Sequence, residues 1–311
     1  MKKYVFIRLI NIVITLFVIA TVTFFLMKQL PGSPFDEEKL AVLSDEQRAE
    51  FLARYGLDKP VTTQYVLYLG NLLKGDLGTS FYFKGQDVTS ILVDRIGPSA
   101  LIGTQAIILG LTIGIILGII AAFRHNTVWD YSTMFLAVLG VSVPNFVFAA
   151  LLQYYVGLKL GLLPVAFWES YSSSIMPSIA LALSVIALIA RYTRNEMLEV
   201  LGQDYMLTAK AKGVKRLKII YVHAIRNALI PVVTVLGPIT VSLLTGSLVI
   251  ENIFGVPGIG SLFVDSIKVN DYTTIMGLTL FYSAFFILTM LVIDLLYGMI
   301  DPRIRISGVK E

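Results

Sequence analysis

"DYMLTAKAKGVKRLKIIYVHAIRNALIP", residues 204–231, carries six Lys or Arg residues against one acid, Asp204. It lies between apolar runs in a chain that is 56% hydrophobic. In a water-soluble domain such a cluster would suggest a nucleic acid first, because clustered Lys and Arg neutralise phosphates. Here the flanking runs place the cluster beside a membrane, and no nucleic-acid-binding module accompanies it.

Working outward, only 15% of the 311 residues are charged, against about 25% in an ordinary globular domain. Mean hydropathy is +0.78. A water-soluble core cannot hide that much apolar surface, so the composition is that of an integral membrane protein. There is no Cys, hence no disulfide framework and no thiolate metal site. His125 and His223 are too few for a His-based metal site without carboxylate help.

Six runs lack Asp, Glu, Lys and Arg: Leu9–Met27, Ile96–Phe123, Tyr131–Leu158, Ser170–Ala190, Asn227–Ile250 and Tyr272–Ile293. The shortest has 19 residues, close to the roughly 20 a helix needs to cross the hydrocarbon core. Each is expected to be helical, since a lone strand cannot satisfy its backbone in lipid. The first run exceeds a secretory h-region and no small-residue cleavage site follows, so it reads as an uncleaved span.

Lys and Arg in short loops set the orientation. With the N-terminus inside the cell, the inside segments hold Lys2, Lys3 and Arg8, then Arg124, then eight residues from Arg191 to Arg226, then Arg303, Arg305 and Lys310. The short outside loops hold Lys159 and Lys268. Both termini are therefore expected in the cytoplasm, and residues 204–231 fall in the largest cytoplasmic loop.

Residues 31–97 read as a small outside subdomain. Ser44 and Gln47 form a capping-box pattern ahead of a helix over "DEQRAEFLAR", and Gly56 fits its stop. A second short helix is expected from Thr63 to Leu73.

The basic loop has four readings: an orientation signal, a contact with anionic lipid, a nucleic-acid site, or a docking knob. The last accounts for the ordered pattern. A short helix beginning at Asp204 or Thr208 and ending at Gly213, then another from Val214 toward Pro231, makes a rigid knob able to transmit force.

The loop resembles the coupling segment of binding-protein-dependent ABC importer permeases in their peptide-permease form. The resemblance rests on "RYTRNEMLEVLGQDYMLTAKAKG", "HAIRNALIPVVTVLGP", "ENIFGVPGIG", "VPNFVFAALLQYYVGLKLGLLPV", "YGLDKPVTTQYVLYLGNLLKGDLGTS", "LPGSP" and "DLLYGMIDPRIR". It runs in order from about residue 4 to 306 and is closest in kind to the B-type oligopeptide permease subunits. The general importer pattern has EAA where Leu207, Thr208 and Ala209 stand, and a proline nearer to Gly213 than Pro231. Both departures are features of the peptide branch.

The resemblance implies an all-α, six-span type I ABC importer permease fold with a small extracytoplasmic subdomain between spans 1 and 2. Its implied parts are 1–30 (N-terminus and first span), 31–97, a core over 98–303 containing a coupling loop at 191–228, and a tail at 304–311. It implies that Asp204, Tyr205, Thr208, Ala209, Ala211, Lys212 and Gly213 dock on an ATPase. No G-x-x-x-x-G-K-[ST] phosphate loop occurs in the chain. ATP and Mg would then be bound by two partner ATPase subunits, and this chain would bind no cofactor and perform no bond chemistry. A second permease subunit completing a heterodimer and an extracytoplasmic peptide-binding protein are also implied.

The fifth span carries Gly237 and Pro238, then Thr240, Ser242, Thr245, Gly246 and Ser247, a pattern of moving or cavity-lining helices, and Pro144 is expected to kink the third span. "ENIFGVPGIG", with Glu251, Gly255, Pro257 and Gly258, favours a re-entrant or gate structure over a long helix; the other reading is an ordinary surface loop. Gln105, Asn145 and Gln153 either line a cavity or bond neighbouring helices. Asp294 lies deep in an apolar run. It marks either a structural bond or, in a rival reading, the proton site of a secondary transporter. A dipeptide, nickel or glutathione importer permease is the alternative within the family.

Overall fold

The computed structural model describes residues 2–30, 44–54, 56–83, 85–214 and 224–300. These are helical apart from turns and one isolated antiparallel bridge, Thr79–Asp87. In chain order the helices are α1 (Lys2–Gln29), α2 (Asp45–Arg54), α3 (Val61–Leu73), α4 (Val88–Phe123), α5 (Val128–Ser142), α6 (Asn145–Leu152), α7 (Ile175–Leu201), α8 (Asp204–Ala211), α9 (Arg226–Leu244), α10 (Leu248–Phe254), α11 (Ile259–Lys268) and α12 (Tyr272–Ile300). A π turn, Gln153–Lys159, continues α6, and a 3-10 turn, Tyr171–Ser174, leads into α7.

Four helical stretches are long and apolar enough to cross a membrane by themselves: Phe6–Gln29, Val88–Phe123, Tyr171–Leu201 and Tyr272–Ile293. Up to seven crossings result if each bent helix pair counts as one. The predicted third span is one such pair, since α5 and the α6–π segment diverge by 97°. Pro144 sits at the break, where it supplies no N–H and starts a new helix from φ −59. The predicted fifth span ends early. Helix α9 stops at Leu244, Gly246 takes φ +90, and α10 begins at Leu248. The helix expected from Val214 toward Pro231 also differs. Residues 215–223 lie outside the described ones, and α9 runs through Pro231 with a 45° bend between Val232 and Thr234.

The chain divides into two units. The first comprises 1–97 with 259–287. Ser44 caps α2 as expected: its Oγ accepts from Gln47 N at 3.3 Å, and its N–H donates to Gln47 Oε1 at 3.1 Å. Helix α3 starts at Val61, directly after Pro60, two residues before the expected Thr63. Phe24 of α1 stacks on Tyr68 of α3 with ring centroids 5.4 Å apart. Burial pushes the Tyr68 phenol up, and nearby Tyr65 adds to the shift, so the ring packs as a neutral group. Asp271 is fully buried just ahead of α12. It accepts from Ser80 Oγ, from Phe81 N at 3.1 Å and from Thr274 Oγ1 at 2.7 Å, which fixes the 80–83 turn to the start of that helix. Val88, Ile91, Leu92, Ile259, Leu262 and Leu278 form this unit's apolar core.

The second unit comprises 98–258 with 288–311. Its mast is α7, whose described face is the most buried of the crossing helices, at 67% of its apolar window. Lipid tails are as apolar as Leu, so helices gain from close van der Waals contact rather than from hiding oil. Helix α4 meets this requirement with Gly110, Gly114 and Gly118. A Cβ on Gly110 would lie 2.4 Å from Val185 Cγ1, and one on Gly118 would lie 2.6 Å from Ala190 O. On another side Gly140 of α5 approaches Ala187, where an added Cβ would sit 2.9 Å from the alanine Cβ.

Candidate functional site

Helix α8 is short and two-sided. Gly202 ends α7, and Met206 N bonds Gln203 O at 3.0 Å as the new helix begins. Met206 is fully buried with Met197, Ala122, Ala224 and Ala228, and Ala209 packs against the same cluster. Asp204, Tyr205, Thr208, Ala211, Lys212 and Gly213 are exposed, as is Leu207. Tyr205 Oη accepts from Asn227 Nδ2 of α9 at 3.2 Å. Gly213 takes φ +69, and nothing lies within 4 Å of where its Cβ would stand. The glycine is there for the left-handed turn, not for space. The result is a short exposed knob, held by Met206 and Ala209 in the cluster and by Tyr205 against α9.

A cavity of about 620 Å³ lies in the second unit. Asn145, Ser184, Ser242 and Ser247 supply its neutral polar groups, while Leu181, Leu188, Pro238 and Leu248 are among its apolar walls. The sequence singles out four of these, Asn145, Pro238, Ser242 and Ser247. Asn145 Nδ2 donates to Ser184 Oγ at 3.3 Å, so it both lines the cavity and bonds a neighbouring helix. Gly237 points elsewhere; its Cβ would meet Ile293 Cδ1 at 2.3 Å. Thr245 Oγ1 donates back to Val241 O at 2.8 Å. Ser247 belongs to the small and hydroxyl residues of the fifth span, whereas Ser184 escapes a sequence reading because a lone serine within an apolar helix carries no positional signal.

Gln105 and Gln153 are helix-bonding groups. Gln105 Oε1 accepts from Ser178 Oγ at 2.6 Å, and its Nε2 donates to Tyr171 Oη at 2.9 Å. Gln153 Nε2 reaches both Val165 O and Ile253 O, each at 2.9 Å. The side chain of Asp294 lies outside the described residues.

The 251–258 segment breaks as expected. Ser247 Oγ caps α10 by accepting from Ile250 N at 3.4 Å. Gly255 closes the helix at φ +63. Glu251 is fully buried and accepts from Ser99 Oγ at 2.7 Å. Gly258 leaves room for that carboxylate, because a Cβ there would stand 2.4 Å from Glu251 Oε2. Pro257 follows within the turn that links α10 to α11. Phe167 N donates to Phe254 O at 2.8 Å, which ties a distant loop to the same turn.

A further cluster has no counterpart in the sequence reading. Asp130, in the first turn of α5, is 1% exposed. Arg194 of α7 grips it side-on with one edge of its guanidinium, Nε to Oδ1 at 2.7 Å and Nη2 to Oδ2 at 2.9 Å. His125 Nδ1 lies 2.9 Å from Oδ2, and Asn126 N donates to the same oxygen at 3.0 Å. Among the described residues no group of three His, Cys, Asp or Glu side chains is gathered as a metal site.

With this geometry in hand, comparison with known proteins places the chain. Residues 114–306 match the binding-protein-dependent transport system inner membrane component, and residues 1–100 match the N-terminal model of the same kind of membrane component. The chain belongs to this family of multi-pass inner-membrane components. It is 46% identical to the dipeptide transport system permease protein of Bacillus subtilis, covering 98% of this chain and 99% of that one. It is 43% identical to the dipeptide transport system permease protein of Lactococcus lactis, over 98% of this chain and all of that one. Identity to the oligopeptide transport system permease protein of Salmonella typhimurium is 42%, again over 98% of this chain. The inward-facing methionine ABC transporter shares the fold, with a TM-score of 0.55 at 15% identity over 68% of this chain and 96% of that one.

Proposed function

We propose that this chain is the membrane permease subunit of an ATP-driven peptide importer and supplies half of its translocation pathway. The reading is carried by its end-to-end similarity to peptide permeases, at 41% to 46% identity. The cavity supports it. Asn145, Ser184, Ser242 and Ser247 offer hydrogen bonds without charge, which suits a peptide backbone whatever its side chains.

In this reading the described α8 knob faces the cytoplasm and docks on one of two partner ATPase subunits, where ATP and Mg are bound. A second permease subunit completes the pathway, and an extracytoplasmic binding protein delivers the peptide. Closure of the ATPases pulls α8, the spans tilt, and the cavity opens outward; hydrolysis resets it. Both termini lie in the cytoplasm, residues 31–97 lie outside the cell, and 98–303 form the permease core.

The test is to extract the tagged chain gently, identify its companions by mass spectrometry and reconstitute them with the binding protein. Co-purification with two P-loop ATPases and a second permease, together with ATP-dependent uptake of di- or oligopeptides, is the expected result. Uptake by this chain alone after ATP depletion would overturn the proposal.

A further inference from the structure

The knob is rooted on α7 and α9, which also line the cavity through Ser184 and Ser242, whereas the wall at Asn145 belongs to α6. Knob α8 is rooted by Met206 against Met197 of α7 and Ala122 of α4. The cavity wall at Asn145 begins where α5 breaks at Pro144. A pull on α8 therefore reaches α7 and Ser184 at once, whereas the Asn145 wall follows through its 3.3 Å hydrogen bond to Ser184 and, across the break at Pro144, through whatever holds α5 to α7.

Helix α5 packs along α7, and two of the contacts between them differ in kind. One is the close approach of Gly140 to Ala187. Such a contact is apolar and sets how closely the helices approach, but it carries no hydrogen bond that fixes direction. The other is the two-pronged grip of Arg194 on Asp130. A forked guanidinium–carboxylate pair fixes direction as well as distance. Its carboxylate is buried and held from a third side by Asn126 N, so it has little freedom to swing. Arg194 stands about one helical turn before Met197, the residue that touches the root of the knob. Knob and clasp thus act on neighbouring turns of one helix.

We propose that the Asp130–Arg194 pair is the positioning clasp that makes α5 follow α8, so that motion of the knob reaches Pro144 and the cavity wall at Asn145. This rests on the coupling reading of α8 given above. The clasp touches neither peptide nor nucleotide. Its loss therefore separates ATP use from transport instead of lowering both.

The experiment uses the whole importer in proteoliposomes, with radiolabelled dialanine and trialanine as probes, and measures peptide uptake and ATP hydrolysis on the same preparation. Asp130→Asn keeps the side-chain shape but removes the charge. Peptide taken up per ATP is expected to fall about tenfold, within the usual span of coupling between sites, while ATP hydrolysis stays within about twofold. Equal losses of both, or no loss of either, overturns the clasp. Should Asp130→Asn fail to assemble, Arg194→Lys carries the test. It keeps the ion pair and loses the fork, and an unchanged uptake per ATP in that variant overturns the proposal. If the unaltered complex shows no ATP-dependent uptake, the importer reading itself fails, separately from the clasp.

Discussion

At the scale of single residues, two glycines in the 251–258 turn are required for different reasons. Gly258 is held by volume, since an added Cβ would stand 2.4 Å from both Glu251 Oε2 and Ser99 Oγ. Gly258→Ala is expected to lose about 1 to 3 kcal/mol through overpacking. Gly255 is held by its left-handed φ of +63, so Gly255→Ala is expected to cost about 1 to 2 kcal/mol. Thermal unfolding in detergent should rank the two in that order, and the reverse ranking would mean that Glu251 moves aside freely. The sequence shows that this turn breaks, because Gly255, Pro257 and Gly258 are all poor continuations of a helix. It does not show that Gly258 shelters a buried carboxylate. That depends on Ser99, far away in the chain and near it only after folding.

Elements were legible where the period or the cap was local. The α2 cap at Ser44 and Gln47 and the stop of α8 at Gly213 follow from neighbours within a few residues. The 97° break at Pro144 shows why a charge-free run is not always one span. Hydropathy counts apolar residues and ignores the missing N–H. Asp130 and Arg194 stayed hidden for a further reason: no spacing rule links residues 64 apart. Two predictions belong here. On α8, Met206 is fully buried while Leu207 is 58% exposed. Met206→Ala is expected to lower the unfolding midpoint, by analogy with core truncations that cost about 2 to 5 kcal/mol. Leu207→Glu should leave the midpoint unchanged yet abolish co-purification of the ATPase. An ATPase that still binds tightly would remove α8 from the docking surface. On α4, Gly114→Leu places a side chain where even a Cβ would meet Ile189 Cβ at 2.8 Å. No monodisperse protein should be recovered on size exclusion, and normal recovery would mean that α4 and α7 separate easily.

At the scale of the whole molecule, the absence of Cys gives a clean background for mapping sides. Leu207 and Leu162 are both well exposed, at 58% and 69%. In intact cells an impermeant maleimide should modify Leu162→Cys and spare Leu207→Cys, and inverted vesicles should reverse the pattern. Labelling of both from the same side would overturn the orientation proposed above. The division into units has a consequence for how the protein is made. The core of the second unit, from Ile102 to Val256, is contiguous in the chain. The first unit instead waits for residues 259–287, because Val88, Ile91 and Leu92 pack on Ile259, Leu262 and Leu278. Val88, Ile91 and Leu92 therefore leave the ribosome well before the Ile259, Leu262 and Leu278 they pack on. That face of α4 must wait, largely bare, until the later segment arrives to cover it.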